Sequence, residues 1–445
     1  MFPNPQDALP LPRRPNLEQY KKLAKELIRA CKSGEPGAIR DWASNWIGAL
    51  VKSADLTIVR ELPAGSAGWV NQVEEFAKRK LKSASTGQAV CKLADAQFII
   101  ARSHGFESWP RFVKHIEGLE RPKSTASKFE AAAEAIIDGD TVTLARLLRE
   151  NPELVRARSA REHRATLLHY LSANGVEGYR QKTPKNAVQI AEILLKAGAE
   201  VDAEAEVYGG GATTLGLTAT SIHPEKAGVQ NELVQLLLNH GAVMERPGVA
   251  GNRHAAVMGC LANGRGKAAE FLAACGARLD LETAAGVGRL DVVKSFFNED
   301  GSLKPGATKI QLQRGFLWAC QFGRNEVVEF LLEHGADLLD QAGTGETGLH
   351  WAVVGGQLST IKLLLARGAP LEEINEYGGT VLGQAGWSFI NGEPEIDYVP
   401  IFDALLAAGA TIDEGWPVWL EKQESRAAAA KERIAEVLRR YGAKA

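Results

Sequence analysis

Apolar and polar residues follow one another along this chain with helical periods, and one arrangement of them recurs. From residue 190 onward an aliphatic run ends repeatedly in Gly-Ala: ILLKAGAEV, LLLNHGAVM, FLAACGARLD, FLLEHGADLL, LLLARGAPLE, LLAAGATID and VLRRYGAKA. The closing glycines are Gly198, Gly241, Gly276, Gly335, Gly368, Gly409 and Gly442, separated by 43, 35, 59, 33, 41 and 33 residues. The interval of 59 divides in two if LETAAGVGRLDVVKSFFNEDG is a degenerate unit ending near Gly301, which leaves a base period near 33 with insertions. Each Leu/Ile/Val run predicts one face of a helix, and the glycine after it predicts the left-handed residue that stops that helix. A polar turn follows, then a second signature such as Thr347-Gly-Leu-His350-Trp-Ala, where threonine caps a new helix and leucine and alanine face inward. A further glycine (Gly139, Gly175, Gly288, Gly323 or Gly356) separates the paired helices. Such a unit cannot bury its apolar face alone, so the pattern predicts a stack.

These residues resemble the ankyrin repeat. The best matches are TLLHYLSANG (166–175), GLHWAVVGGQLSTIKLLLARGAPLE (348–372) and FLWACQFGRNEVVEFLLEHGADL (316–338). The resemblance implies an all-α fold, an ankyrin-repeat α-solenoid of about eight or nine helix-turn-helix units over residues 128–445, closed by the charged capping helix ESRAAAAKERIAEVLRRYG. Residues 16–120 lack the repeat and predict a small helical N-terminal domain, with NLEQYKKLAKELIRACKSG as an amphipathic helix ended by Gly34. This segment is similar to helical segments that precede ankyrin repeats in many bacterial proteins. The proline-rich start, residues 1–15, predicts a flexible arm, and RPKSTASK predicts a linker at 121–127.

Composition changes this picture little, with 45% hydrophobic and 24% charged residues, as in ordinary globular proteins. No apolar run is long enough to span a membrane and the N-terminus does not have the order of a secretory signal, so a cytoplasmic protein is expected. The five cysteines (Cys31, Cys91, Cys260, Cys275, Cys320) lack CxxC or paired spacing and read as buried thiols. Charge is more informative. Residues 340–420 hold two Lys/Arg (Lys362, Arg367) against eleven Asp/Glu, a balance of −9 that attracts cationic partners. Residues 1–120 carry 18 basic and 13 acidic side chains, or +5, which makes nucleic-acid binding the weakest of the readings.

Catalytic signatures are lacking: there is no GxSxG, HExxH or P-loop, and no metal or cofactor is expected. His169 and His350 occupy the TxLH position, which in the ankyrin pattern bonds neighbouring loops. His240 and His334 precede helix-ending glycines. Two near-identical fingers depart from the repeat, Tyr208-Gly-Gly-Gly-Ala-Thr-Thr-Leu-Gly216 and Tyr377-Gly-Gly-Thr-Val-Leu-Gly383, each followed by an insertion. Glycine there lets another backbone or a ligand approach closely. Candidate ligand-binding residues are therefore Tyr208, His223, Glu225, His254, Tyr377, Gln384, Trp387 and Glu393, with Trp318 and Trp351 in one aromatic column. The leading expectation is a non-enzymatic scaffold that recognises a basic protein or peptide on its concave face through cation–π contact and charge. The alternative is a small-molecule-binding protein or enzyme using the 204–230 and 375–400 insertions, with His223 or His254 as base or acid beside Glu225 or Glu393.

Overall fold

The computed structural model describes residues 4–12, 14–53, 65–81, 91–245, 255–412, 415–422 and 428–442. The chain forms two compact units, residues 1–251 and 252–445.

The first unit opens with a helical bundle: α1 (Leu17–Ser33), α2 (Ala38–Ser53), α3 (Gly65–Leu81), α4 (Leu93–Ser103) and α5 (Trp109–Leu119). Asn16 caps α1 by accepting from the Glu18 N–H, and Gly34 ends it at φ 69°. The buried face of α1 is Tyr20, Ala24, Leu27 and Cys31, spaced by whole turns, and it meets Trp46, Ile99 and Phe112 in one core. Two sequence expectations fail here. Cys31 and Cys91 are not thiols but form a disulfide, with Cα atoms 6.0 Å apart, which fixes the end of α1 to the approach to α4. The expected arm at 1–15 is partly seated: Leu9 is fully buried, its N–H donates to Ser103 O at 2.7 Å, and its carbonyl pairs with His104 Nδ1 at 3.0 Å. Its apolar Ala-Leu-Pro-Leu text, rather than its prolines, decides the outcome.

The segment 121–127 is a capped turn. Ser124 Oγ donates to Gly118 O at 2.6 Å and accepts from Ser127 N–H at 3.0 Å, starting α6 (Thr125–Ile137). Helical pairs then follow: α6 with α7 (Thr141–Glu150), a 3-10 turn at Leu167–Ser172 with α8 (Ala187–Lys196), and α9 (Thr214–Thr220) with α10 (Ile222–Lys226) and α11 (Gln230–Asn239). TLLHYLSANG is thus 3-10 rather than α, because Ala173 turns left-handed at φ 45° and ends it early. A finger made of β1 (Glu204–Ala205) antiparallel to β2 (Ala212–Thr213) precedes α9.

The second unit stacks α12 (Ala255–Ala262) with α13 (Gly266–Ala274), α14 (Leu281–Gly286) with α15 (Leu290–Lys294), α16 (Lys309–Gln321) with α17 (Asn325–Glu333), and α18 (Gly348–Val354) with α19 (Leu358–Ala366). α20 (Val381–Asn391) and α21 (Val399–Ala407) come next, then α22 (Trp416–Glu421) and α23 (Ala428–Arg440). The worn text at 281–301 is a true short pair, with Asp280 and Thr283 capping α14 reciprocally. The seven glycines of the recurring Gly-Ala ends, Gly198 to Gly442, have φ between 82° and 101°. Inner helices pack backbone to backbone: a Cβ on Gly355 would lie 1.8 Å from Gln321 O. Phe316, Val328, Ile361, Phe402 and Val437 form a continuous core through this stack.

Candidate functional site

The second unit carries a cleft of about 930 Å³ built where the repeat text is least regular. Trp351 reaches it from the first turns of α18. Thr347 caps that helix, sharing a reciprocal pair with His350, whose Nδ1 lies 2.9 Å from Thr347 Oγ1. Glu346, the residue before the cap, is buried on the cleft floor, and its Oε2 accepts from the Thr344 hydroxyl. The finger that follows is shaped by Asn375, whose Oδ1 accepts from Tyr377 N–H (3.1 Å) and Gly379 N–H (2.9 Å) while Gly378 turns left-handed at φ 78°. Gln384 then sits behind the finger on α20, between Asn375 Nδ2 and Ser388 Oγ. Trp387 is one turn further on α20 and 58% exposed, so it stands at the mouth. The far wall is α22, from which Trp416 and Trp419 enter with ring centroids 5.2 Å apart. Gly386 makes room for them, since a Cβ there would lie 2.4 Å from the Trp416 ring.

An aromatic row leads to the cleft: Phe322 to Trp318 at 6.1 Å, and Trp318 to Trp351 at 6.3 Å between centroids. The two tryptophans differ in how their indoles are satisfied. Trp318 Nε1 donates to Glu282 Oε1 at 3.0 Å, and Glu282 is held above the usual carboxylate range by burial, with that hydrogen bond pulling it back. Trp351 Nε1 is buried with no partner among the described residues.

Of the residues singled out from sequence, the structure brings Trp351, Tyr377, Gln384 and Trp387 together in this cleft, with Trp318 alongside. Glu393 does not line it. Tyr208, His223 and Glu225 belong to the first unit. Tyr208 adopts φ 53° and its hydroxyl donates to Asn174 Oδ1 at 2.6 Å, and Gln6 Nε2 also reaches that hydroxyl, so it braces the finger. His223 lies on α10, lowered in pKa by burial and then by Lys226. His254 lies outside the described residues. Glu346, Trp416 and Trp419 escape the sequence reading, because an acid before a cap and two tryptophans beyond the last clear repeat follow no period. His169 keeps the loop-bonding role the resemblance implied, reaching Ala212 O at 3.3 Å.

The first unit has its own polar feature, also unseen in sequence. Arg161 and Arg180 are buried with Glu130 and Glu177, with Arg161 Nη1 2.8 Å from one oxygen of each carboxylate and Arg180 Nη2 2.7 Å from Glu130 Oε2. Burial pushes the Glu130 carboxyl up, but the two guanidiniums outweigh it and hold it down at about 2. Among the described residues no group of three or more His, Cys, Asp or Glu side chains is placed to hold a metal, and no helix is long and apolar enough to cross a membrane.

The helix pairs, left-handed closing glycines and fingers define an all-α repeat stack. Residues 281–414 carry ankyrin repeats: the family described as ankyrin repeats (3 copies) matches residues 281–377 and 316–414. Solved structures that it resembles include the human ASB11 ankyrin repeat domain (22% identity, 63% of this chain and 99% of that one, TM-score 0.33). Another is the ankyrin repeat domain of Bcl-3, a member of the IkappaB protein family (20%, 57% and 93%, TM-score 0.29). A third is an ankyrin repeat domain from Acinetobacter baumannii (23%, 52% and 98%, TM-score 0.27).

Proposed function

We propose that this protein is a binding scaffold whose second-unit cleft docks a segment of a basic protein or peptide. The observation that carries this reading is the cleft's composition: Trp351, Trp387, Trp416, Trp419 and Tyr377 gather around the buried Glu346 within a segment of net charge −9. Aromatic faces attract cations through their quadrupole, a buried carboxylate supplies the counter-charge, and clustered tryptophans are the usual anchors of protein interfaces. The alternative, a small-molecule pocket or enzyme drawn from both insertions, gains no support from Glu393, which stays out of the cleft.

Calorimetric titration of the full chain with a short basic peptide and with its acidic counterpart tests the reading. Binding of the basic peptide alone is expected, weakening as ionic strength rises from roughly 0.01 to 0.15 M and the screening length falls from about 30 to 8 Å. Equal binding of both peptides, or an affinity indifferent to salt, refutes it. The cytoplasmic setting expected from sequence is opposed by the Cys31–Cys91 bond, since disulfides persist mainly in oxidising compartments. A thiol count on protein isolated directly from its own cells decides between them.

A further inference from the structure

Two residues that line the cleft have hydrogen-bonding capacity that the fold does not use in full, and they are of opposite kind. Trp351 Nε1 is a buried donor with no partner among the described residues. Its counterpart one repeat earlier, Trp318, shows the satisfied arrangement, donating to the Glu282 carboxylate. Glu346 is a buried acceptor that the Thr344 hydroxyl engages through Oε2, and no other hydrogen bond to its carboxylate occurs among the described residues. A buried donor without a partner is costly, and a carboxylate with one hydrogen bond can accept more, so an occupant that serves both is favoured over one that serves neither. The occupant must supply a donor for the carboxylate, an acceptor for the indole, and a cationic surface to lie between tryptophan faces.

Resting on the basic-partner reading above, we propose that the cleft receives an arginine side chain presented with a neighbouring peptide carbonyl, its guanidinium pairing with Glu346 between tryptophan faces and the carbonyl accepting from Trp351 Nε1. Three cations compete for such a site, and chemistry separates them. A quaternary ammonium has the charge for the aromatic faces but no N–H for Glu346. A lysine ammonium has donors but is compact and strongly hydrated, so it sacrifices more on leaving water. A guanidinium is planar, weakly hydrated and able to stack on indole while its edge donates to a carboxylate. The volume of about 930 Å³ exceeds one side chain and suits an arginine with adjoining backbone. The rim glycines Gly378, Gly379 and Gly415 offer no side chain to obstruct that backbone.

The test titrates the full chain with blocked pentapeptides identical except at the centre, which is arginine, lysine, trimethyllysine or citrulline. The arginine peptide is expected to bind about tenfold or more tighter than each of the others, as one charge-assisted pair implies. Glu346→Gln should erase most of that preference. Trp351→Phe, which keeps an aromatic face but removes the N–H together with part of the indole, should weaken the arginine peptide severalfold more than it weakens the lysine peptide. Arginine and lysine peptides binding equally, or trimethyllysine binding best, would overturn the arginine assignment and leave the basic-partner reading standing. No binding by any charged peptide would overturn both.

Discussion

Breaking the Cys31–Cys91 bond offers a quantitative test of how the N-terminal bundle is held together. The bond closes a loop of 60 residues between α1 and the start of α4. By the loop-closure entropy of the unfolded chain, a loop of that length contributes about 4 kcal/mol at 25 °C. That is a large share of the stability of any one domain, so the loss should be felt locally rather than spread over the molecule. Because the chain has two units, a single two-state midpoint is the wrong readout. Amide hydrogen exchange resolves it by segment: on reduction, or in Cys31→Ser, amides of α1 and α4 that open with the bundle should exchange up to roughly a thousandfold faster. Reductant should add nothing further to Cys31→Ser. Two results would refute the reasoning. One is five titratable thiols in unreduced, denatured protein instead of the three of Cys260, Cys275 and Cys320; the other is exchange in α1 and α4 that reduction does not alter.

Other consequences are open to simpler measurements. Arg161→Ala strips the buried Glu130 and Glu177 of a shared partner and should cost about 3–5 kcal/mol in denaturant unfolding, whereas a surface ion pair would cost under about 1. Gly355→Ala drives a methyl against Gln321 O and should destabilise the second unit by about 1–3 kcal/mol, while Gly343→Ala, with open space around it, should be neutral. Acid should weaken the first unit. Burial lowers His104 to about 3 and His115 and His169 to about 4 in the fold, so the unfolded chain takes up protons first as pH falls below its ordinary histidine value of roughly 6.5. Their contribution is fully present above that pH and is lost from roughly pH 6.5 down to about 4, or about 3 for His104, by about 1.4 kcal/mol per histidine at pH 5.5. The depressed Glu130 carboxyl acts in the same direction at lower pH. Denaturation midpoints of the first unit that are level from pH 7.5 to 5 would contradict these burial effects.

The repeats were legible because their stops are chemical. A helix ending in Gly-Ala announces a left-handed residue, and each such glycine adopts it. The two tyrosine–glycine fingers were legible as departures, but for different reasons: at Tyr377 the finger walls a cleft, whereas at Tyr208 it is braced by Asn174. Glu346 was not legible, because an acid beside a cap resembles any solvated charge until the neighbouring loop covers it. The disulfide was equally hidden. Two cysteines 60 residues apart have no spacing signature, and their meeting depends on how α1 packs on α4. The charged quartet around Arg161 is likewise a product of packing, assembled from α6 and the loops around Leu167–Ser172.

The far wall of the cleft lies beyond the matched repeats. The family match stops at residue 414, and Trp416 and Trp419 follow at once, on the short helix that opens the final 33-residue interval ending at Gly442. A fragment trimmed to the matched residues would keep its own helices and lose the cleft wall that Gly415, Trp416 and Trp419 provide. Yet this wall is not separable from the stack: Trp416 meets the core residue Phe402 edge-to-face at 5.7 Å while it lines the cleft, so a change of aromatic there is felt on both sides. The wall of the cleft and the closing layer of the stack are thus one piece of structure, seen from its two sides.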